Sequence, residues 1–273
     1  MQRPRLIAGL AFLAAATALV ALAQDDAAPP PALVTVEAAA PSPEPAGARV
    51  RIRAQRQPFP LDAQPTVTLE VTNFRLGVPT TGPRPEGVED DPLGQHVALA
   101  VDDDAYVAIY DASRSLVLGR LTPGTHLVRA VLVRSWGESL KSEAAFDRAE
   151  VAVASRRIAV ARREPLLTII QPRGVVSGLP PGEALLDFRL QRVTLAPGRG
   201  AVRLIIDRQQ FHLTQEGLHR VRGLAPGFHA IELQTLNGLG EPLLSRFAQT
   251  SRVFTMSLDA PQPIAGAAVS LNE

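Results

Sequence analysis

Residues Leu121-Thr122-Pro123-Gly124-Thr125-His126 return as Leu224-Ala225-Pro226-Gly227-Phe228-His229, displaced by 103 positions (226 minus 123). Gly137-Glu138-Ser139-Leu140 returns at the same displacement as Gly240-Glu241-Pro242-Leu243. Solenoid repeats run to roughly 20–50 residues, so this longer period marks two copies of a whole small domain.

The segments around the repeat alternate with period two. His126, Val128, Ala130 and Leu132 share one face, and His229, Ile231 and Leu233 match them in the second copy. Val67, Leu69 and Val71 form another such face. Val97-Ala98-Leu99-Ala100-Val101 and Val202-Arg203-Leu204-Ile205-Ile206 read as further strands, each followed by an aspartate, Asp102 or Asp207. Val151 with Val153, and Val253 with Phe254, Thr255 and Met256, read as closing strands. Short alternating runs separated by Gly, Pro, Asn and Asp predict antiparallel strands in a sandwich or barrel. Helical patterning is limited to one or two turns over 143–150. Roughly seven short strands per copy fit an immunoglobulin or fibronectin type III topology.

The Leu-Thr-Pro-Gly-Thr-His corner and the strand from Leu127 to Val133 resemble the E–F corner of fibronectin type III-like domains, with histidine in place of tyrosine. Gly94-Gln95-His96 through Asp102, Tyr106 and Tyr110-Asp111 resembles exported bacterial Ig-like domains, where a Gly-x-His-x-His strand precedes an aspartate. Ala98 stands here at the second histidine position, and the second copy has Gly200-Ala201-Val202 with no histidine. The resemblance implies a fold and an exported compartment. It implies no particular ligand.

The beginning of the chain agrees with export. Arg3 and Arg5 precede an apolar run, and Ala21-Leu22-Ala23 has the small-x-small form of a cleavage site. Residues 1–23 read as a signal peptide, with a retained anchor as the alternative. Cysteine is absent, which excludes disulfides, thiolate metal sites, a cysteine nucleophile and a lipidated cysteine. Without Arg3 and Arg5 the chain has 28 minus 2 basic residues against 27 acidic ones. A near-neutral balance argues against nucleic acid as a partner. Residues 24–48, with Pro29-Pro30-Pro31 and Pro41-Ser42-Pro43, read as a disordered Ala/Pro-rich spacer. The expected organisation is a first sandwich over 49–155, a second over 156–258, and a flexible tail over 259–273. The basic stretch from Arg156-Arg157 to Arg162-Arg163 joins the two sandwiches.

Several residues could carry chemistry. His126 and His229 invite a metal or catalytic reading, yet a site need not occur twice. A corner imidazole bonded to nearby backbone explains the repetition better. His96, Asp102 and Asp104 form a weak metal candidate, with a polar turn as the simpler reading of Asp102-Asp103-Asp104. Residues 77–94 hold Pro79, Pro83, Pro85 and Pro92 among acidic side chains, a composition that favours disorder over an ordered functional loop. Trp136, the sole tryptophan, is either a contact hot spot for a partner or a lid folded over the sandwich end. Neither a Gly-x-Ser-x-Gly elbow, nor His-Glu-x-x-His, nor a phosphate-binding glycine loop occurs.

The sequence therefore predicts an exported, non-catalytic, cofactor-free module of the cell envelope with two tandem β-sandwiches. It would recognise a protein or other envelope partner through strand edges and end loops of the first sandwich. His96, Asp102, Tyr106, His126 and Trp136 are the partner-binding candidates. The alternatives are a periplasmic metal- or small-ligand-binding protein and an accessory domain of an envelope hydrolase. No transmembrane segment is expected once the signal is cleaved.

Overall fold

The computed structural model describes residues 33–55, 57–155, 164–177 and 179–257. The expected signal at 1–23, the basic junction at 156–163 and the tail at 259–273 lie outside the described residues. In chain order the strands are β1 (Thr35–Ala38), β2 (Arg49–Ala54), β3 (Thr66–Thr72), β4 (His96–Val101), β5 (Val107–Ile109), β6 (Leu116–Val117), β7 (Gly124–Val133) and β8 (Phe146–Val153). They continue as β9 (Leu166–Gln171), β10 (Gly174–Val176), β11 (Glu183–Gln191), β12 (Gly200–Ile206), β13 (Gln209–Leu213), β14 (His219–Arg222), β15 (Gly227–Asn237) and β16 (Gln249–Met256).

Sheet β2-β3-β6 faces sheet β5-β4-β7-β8 in the first sandwich. Sheet β1-β14-β11-β9 faces sheet β10-β16-β15-β12-β13 in the second. β10 runs parallel to β16, and the other paired strands run antiparallel. The architecture is all-β and fibronectin type III-like, as the alternation predicts. Val50, Val67, Val97, Val128, Leu132 and Val151 meet in the first core. Ile169, Leu186, Phe188, Leu204, Leu233 and Phe254 meet in the second. The helical pattern at 143–150 is realised only as a 3-10 turn at Glu143–Ala145. From Phe146 the chain pairs with β7 instead, because the ladder satisfies backbone groups that an isolated short helix leaves open.

β7 departs from a one-sided pattern. Val128, Ala130 and Leu132 enter the first core, but Leu127, Arg129, Val131 and Val133 on the opposite phase are also buried. Leu127 packs against Leu166 and Phe247 of the second sandwich. Val131 and Val133 pack with Ala98, Ala100, Tyr106 and Ile170 of β9. Each such aliphatic side chain contributes about 1.5–3 kcal/mol relative to exposure.

Arg129 lies within this apolar contact. It donates to Leu167 O at 2.9 Å, to Thr168 Oγ1 at 2.7 Å and to Asp102 O. Its guanidinium carbon lies 5.6 Å from the centre of the Phe247 ring. Burial pushes its pKa down to about 10, so it remains a cation at neutral pH. Lys141 makes a second pin, donating to Asp187 Oδ1 at 2.8 Å and Phe188 O at 2.9 Å. The described residues accordingly belong to one compact unit.

The spacer reading of 24–48 is corrected over its described part, 33–48. β1 pairs with β14 as an edge strand of the second sandwich, and Val34 enters that core. Ser42 Oγ then donates to Glu138 Oε2 at 2.6 Å, and Arg134 donates to Pro43 O at 2.6 Å. Glu44 accepts from the Lys141 and Ser142 amides. Composition misled here because two alternate residues, Val34 and Val36, suffice to seat a short edge strand. The segment crosses from the second sandwich to the first and holds both.

Two expectations follow. Arg129→Ala leaves buried acceptors and a cavity, so it lowers stability by about 3 kcal/mol or more in denaturant titration, and Arg129→Met by about 1–3 kcal/mol. Starting the chain at residue 49 removes β1 and Val34, and thermal melting shows a loss of about 3 kcal/mol or more. A mere spacer would leave the melting temperature unchanged.

Candidate functional site

The repeated aspartate and histidine meet in each copy. His126 Nδ1 lies 2.7 Å from Asp102 Oδ2 and Nε2 lies 2.8 Å from Thr122 O. In the second copy His229 Nδ1 lies 2.5 Å from Asp207 Oδ2 and Nε2 lies 2.6 Å from Ala225 O. Both nitrogens of each ring thus lie at hydrogen-bond distance from an oxygen. Asp102 Oδ1 also accepts from Leu127 N at 2.9 Å. Asp102 and Asp207 have positive φ, 49° and 45°, a conformation aspartate tolerates better than most residues. Each pair closes the corner where the long strand begins, and every polar atom of the rings is engaged within the fold.

The metal candidate comes apart. His96 opens β4 and Asp102 follows its other end, so about six residues of extended chain, roughly 20 Å, separate them. Among the described residues no group of three or more His, Asp or Glu could hold an ion. Arg246 approaches Asp102 and Asp103 at 3.8 and 3.7 Å, and Arg252 donates to Asp104 O at 3.0 Å. The Asp turn is thus a contact with the second sandwich.

His96, Tyr106 and Trp136 do come together, at a cleft between the sandwiches. It encloses about 300 Å³, and its walls include Val88, Asp91, His96, Tyr106, Trp136 and Arg173. His96 and Tyr106 stack with ring centres 5.9 Å apart and planes 20° apart. Tyr110 also lies against His96, with ring centres 5.1 Å and planes 55° apart. Both tyrosines and the only tryptophan of the chain therefore gather around one feature. The Arg173 guanidinium carbon lies 4.6 Å from the Tyr106 ring centre.

His96 is 3% and Tyr106 7% exposed, yet His96 Nε2 and the Tyr106 hydroxyl have no partner within the protein. An unpartnered buried polar group costs about 1–3 kcal/mol. Burial, and then the Arg173 charge, push the His96 pKa down to about 4. The ring is neutral at pH 7. Its Nδ1 faces Gly94 O at 3.4 Å, which places the proton there and leaves a lone pair on Nε2. Burial pushes the Tyr106 phenol up to about 12.

Residues 77–94 form one wall, which corrects the expectation of disorder. Thr80 N donates to Ser135 Oγ at 2.9 Å, and Asp91 N to Ser135 O at 2.7 Å. Ser135 Oγ donates to Asp90 Oδ1, and Tyr110 OH to Asp91 Oδ2, both at 2.5 Å. Val88 packs with Trp136, Leu185 and Leu218. Two of the acidic side chains that suggested a solvated loop, Asp90 and Asp91, are acceptors that fasten it.

Trp136 is 4% exposed, so it is no free hot spot. Its Nε1 donates to Glu138 Oε2 at 2.8 Å, and Arg134 lies over its ring at 5.3 Å. It folds inward because the second sandwich supplies Leu185 and Leu218 as an apolar bed. The neighbouring Gly137 has φ 84°, and a Cβ there would come within 2.4 Å of Gln171 Nε2. Only glycine permits that approach. Arg173 and Val88 had no sequence signal, since neither lies in the repeat. They reach the cleft only because the sandwiches are docked.

The hydrolase alternative gains no support from the groupings nearest to catalytic form among the described residues. The side chains of Ser139, Lys141 and Asp187 are joined, but Asp187 is 0% exposed and Ser139 already donates to it. In the cleft, Asp90 also accepts from Arg84 at 2.8 Å, and Asp91 from Leu93 N at 2.9 Å. These carboxylates are structural acceptors.

A scan against family models gives no match, and a search of curated proteins gives none. Similar solved structures include the fibronectin(III)-like modules of Clostridium thermocellum CbhA, 10% identical, covering 77% of this chain and 95% of that one, with a TM-score of 0.25. The central fibronectin-III array of RIM-binding protein is 11% identical over 81% of this chain and 71% of that one, with a TM-score of 0.25. Three N-terminal domains of the bacteriophage RB49 outer capsid protein Hoc are 11% identical over 78% and 71%, with a TM-score of 0.23. The fold assignment rests on strand order and pairing. Among the described residues, no helix is long and apolar enough to cross a membrane.

The buried imidazole sets a pH dependence. Unfolded His96 takes a proton near pH 6.5, whereas the folded ring resists until about pH 4. Stability therefore falls as pH drops through that window, by up to roughly 3 kcal/mol, and levels below it. Urea titrations from pH 7 to 4 are expected to show this loss in the native chain and a smaller one in His96→Phe. Equal losses in both would remove His96 as the cause.

Proposed function

We propose that the protein is an exported, non-catalytic binding module of the cell envelope that takes its ligand in the cleft between the sandwiches. The carrying observation is that His96 and Tyr106, two residues lining a cleft between the sandwiches, each bury a polar atom, Nε2 and the hydroxyl, without a partner in the protein. Folded proteins leave few such groups unsatisfied, and convergent polar groups in a partly apolar pocket are the usual chemistry of recognition. Export rests on the basic start, apolar run and Ala21-Leu22-Ala23 site of the sequence.

This reading moves the site away from the strand edges and end loops of the first sandwich. His126 and Asp102 are consumed by the corner, and Trp136 is walled in. The small-ligand alternative gains what the protein-partner reading loses, because a cleft of about 300 Å³ lies at the small end of ligand pockets. Non-catalytic binding is favoured because Asp90, Asp91 and Ser135 beside the cleft are already engaged within the fold.

A thermal-shift screen of residues 24–273 against a panel of sugars, amino acids, dipeptides and organic acids tests the proposal. A true ligand near 100 times its dissociation constant stabilises by about 2.7 kcal/mol, a rise of several degrees. At least one member is expected to raise the melting temperature of the native chain but not of Arg173→Ala. No shift with any member, or a shift that Arg173→Ala retains, would overturn it.

A further inference from the structure

The duplication is an internal control for residues that the scaffold does not require. β15 turns Phe228, Ala230, Glu232 and Gln234 to the outer face of its sheet, since His229, Ile231, Leu233 and Thr235 on the other phase are buried. Phe228 is 83% exposed, and Val253, paired with Ala230 from the neighbouring β16, is 65% exposed. Neither belongs to the second core. At the displacement of 103 the first copy has Thr125 and Glu150 at these positions. The corner and the closing strand therefore form without an apolar side chain at either place. A single exposed apolar residue calls for no explanation, but neighbours on adjacent strands around a groove mark a contact surface.

We propose that this outer face is a self-association surface, on which a second copy of the chain packs face to face about a two-fold axis. An isologous contact needs a knob and a hole on one patch. Phe228 is the knob. The hole is a groove of about 520 Å³, lined by Ile205, Arg208, Ala230, Glu232 and Val253. Phe228 lies two residues along β15 from Ala230 on the same face, about 7 Å away. The chain itself shows that such a face accepts a sandwich, because the corresponding face of β4 and β7 in the first copy is covered by the second.

The charges beside the groove select the occupant. Glu232 accepts from the Gln249 amide at 2.9 Å, and Arg208 lies in the turn between β12 and β13. Among the described residues, neither makes an ion pair. A polyanion or an anionic surface would attract Arg208 and be repelled by Glu232. A second copy brings both signs, so that Arg208 of each copy faces Glu232 of the other. The face is five strands wide and seven residues long at β12, about 24 Å in each direction, and so offers roughly 600 Å². Standard interfaces bury about 800 Å² per partner. The dimer is therefore weak, with an expected dissociation constant on the order of 10–100 µM. The inference does not depend on the cleft.

Sedimentation velocity of residues 24–273 from about 1 to 500 µM tests the proposal. The sedimentation coefficient is expected to rise from the monomer to the dimer value with concentration. Phe228→Thr and Val253→Glu, which install the residues of the first copy, are each expected to raise the dissociation constant about tenfold or more at an unchanged melting temperature. Arg208→Glu and Glu232→Arg are each expected to be monomeric alone, because like charges then face each other across the axis. Mixed together, these two variants are expected to form a heterodimer, since each carries the charge that the other lacks. A native chain that stays monomeric throughout would overturn the proposal, whether the face is bare, covered by another part of the chain or kept for a different partner. A dimer that all four variants retain would overturn the face as its site. Failure of the mixed charge variants to associate would overturn the second copy as the source of the missing counter-charges.

Discussion

The rest of the structure depends on the burial of both faces of β7. One face fills the first core, and the other carries Leu127, Val131 and Val133 into contact with the second sandwich. Arg129 sits within that apolar surface, and its bonds to Leu167 O and Thr168 Oγ1 cross the boundary. A buried cation is costly to leave unpartnered. The two sandwiches must therefore meet in the register that supplies those oxygens. Area supplies the adhesion and Arg129 supplies the alignment. The cleft is a consequence, since its walls come from both sandwiches.

The duplication shows what this constraint requires. At the displacement of 103, Leu127, Arg129 and Val131 correspond to Ala230, Glu232 and Gln234. The second copy thus carries Glu232 and Gln234 where the first buries Arg129 and Val131. Trp136 corresponds to Leu239, which is 83% exposed. The turn glycines show the same contrast: Gly137 meets Gln171, and nothing lies within 4 Å of a Cβ added at Gly240. The copies share a scaffold, while at these positions only the first has the residues that dock.

This contrast explains how far the sequence could be read. Alternation at Val67, Val97, Val128 and Ile231 defines inward faces, and that is a local property of each strand. The Pro-Gly-x-His corners were equally legible because they recur. Asp102 with His126 could have been paired from that recurrence, since Asp207 stands before His229. Docking was harder to see. The signal was present in Leu127, Val131 and Val133, apolar residues on the phase that a solvated sheet face would make polar. The ordered state of 33–48 and 77–94 was not legible from composition. Val34 with Val36, and Val88, pack those segments onto surfaces that exist only after the sandwiches fold. His96, Tyr106 and Trp136 were singled out as residues, but their meeting place depends on Arg173 and Gln171, which belong to the other sandwich.

The central claim is that the sandwiches form one cooperative body whose shared interface creates the cleft. Differential scanning calorimetry of residues 24–273 addresses it most directly. A body joined through β7 unfolds in a single transition, with the calorimetric and van't Hoff enthalpies equal. Two resolved transitions, one for each sandwich, would mean that they melt independently, and would contradict both the interface and the site built on it.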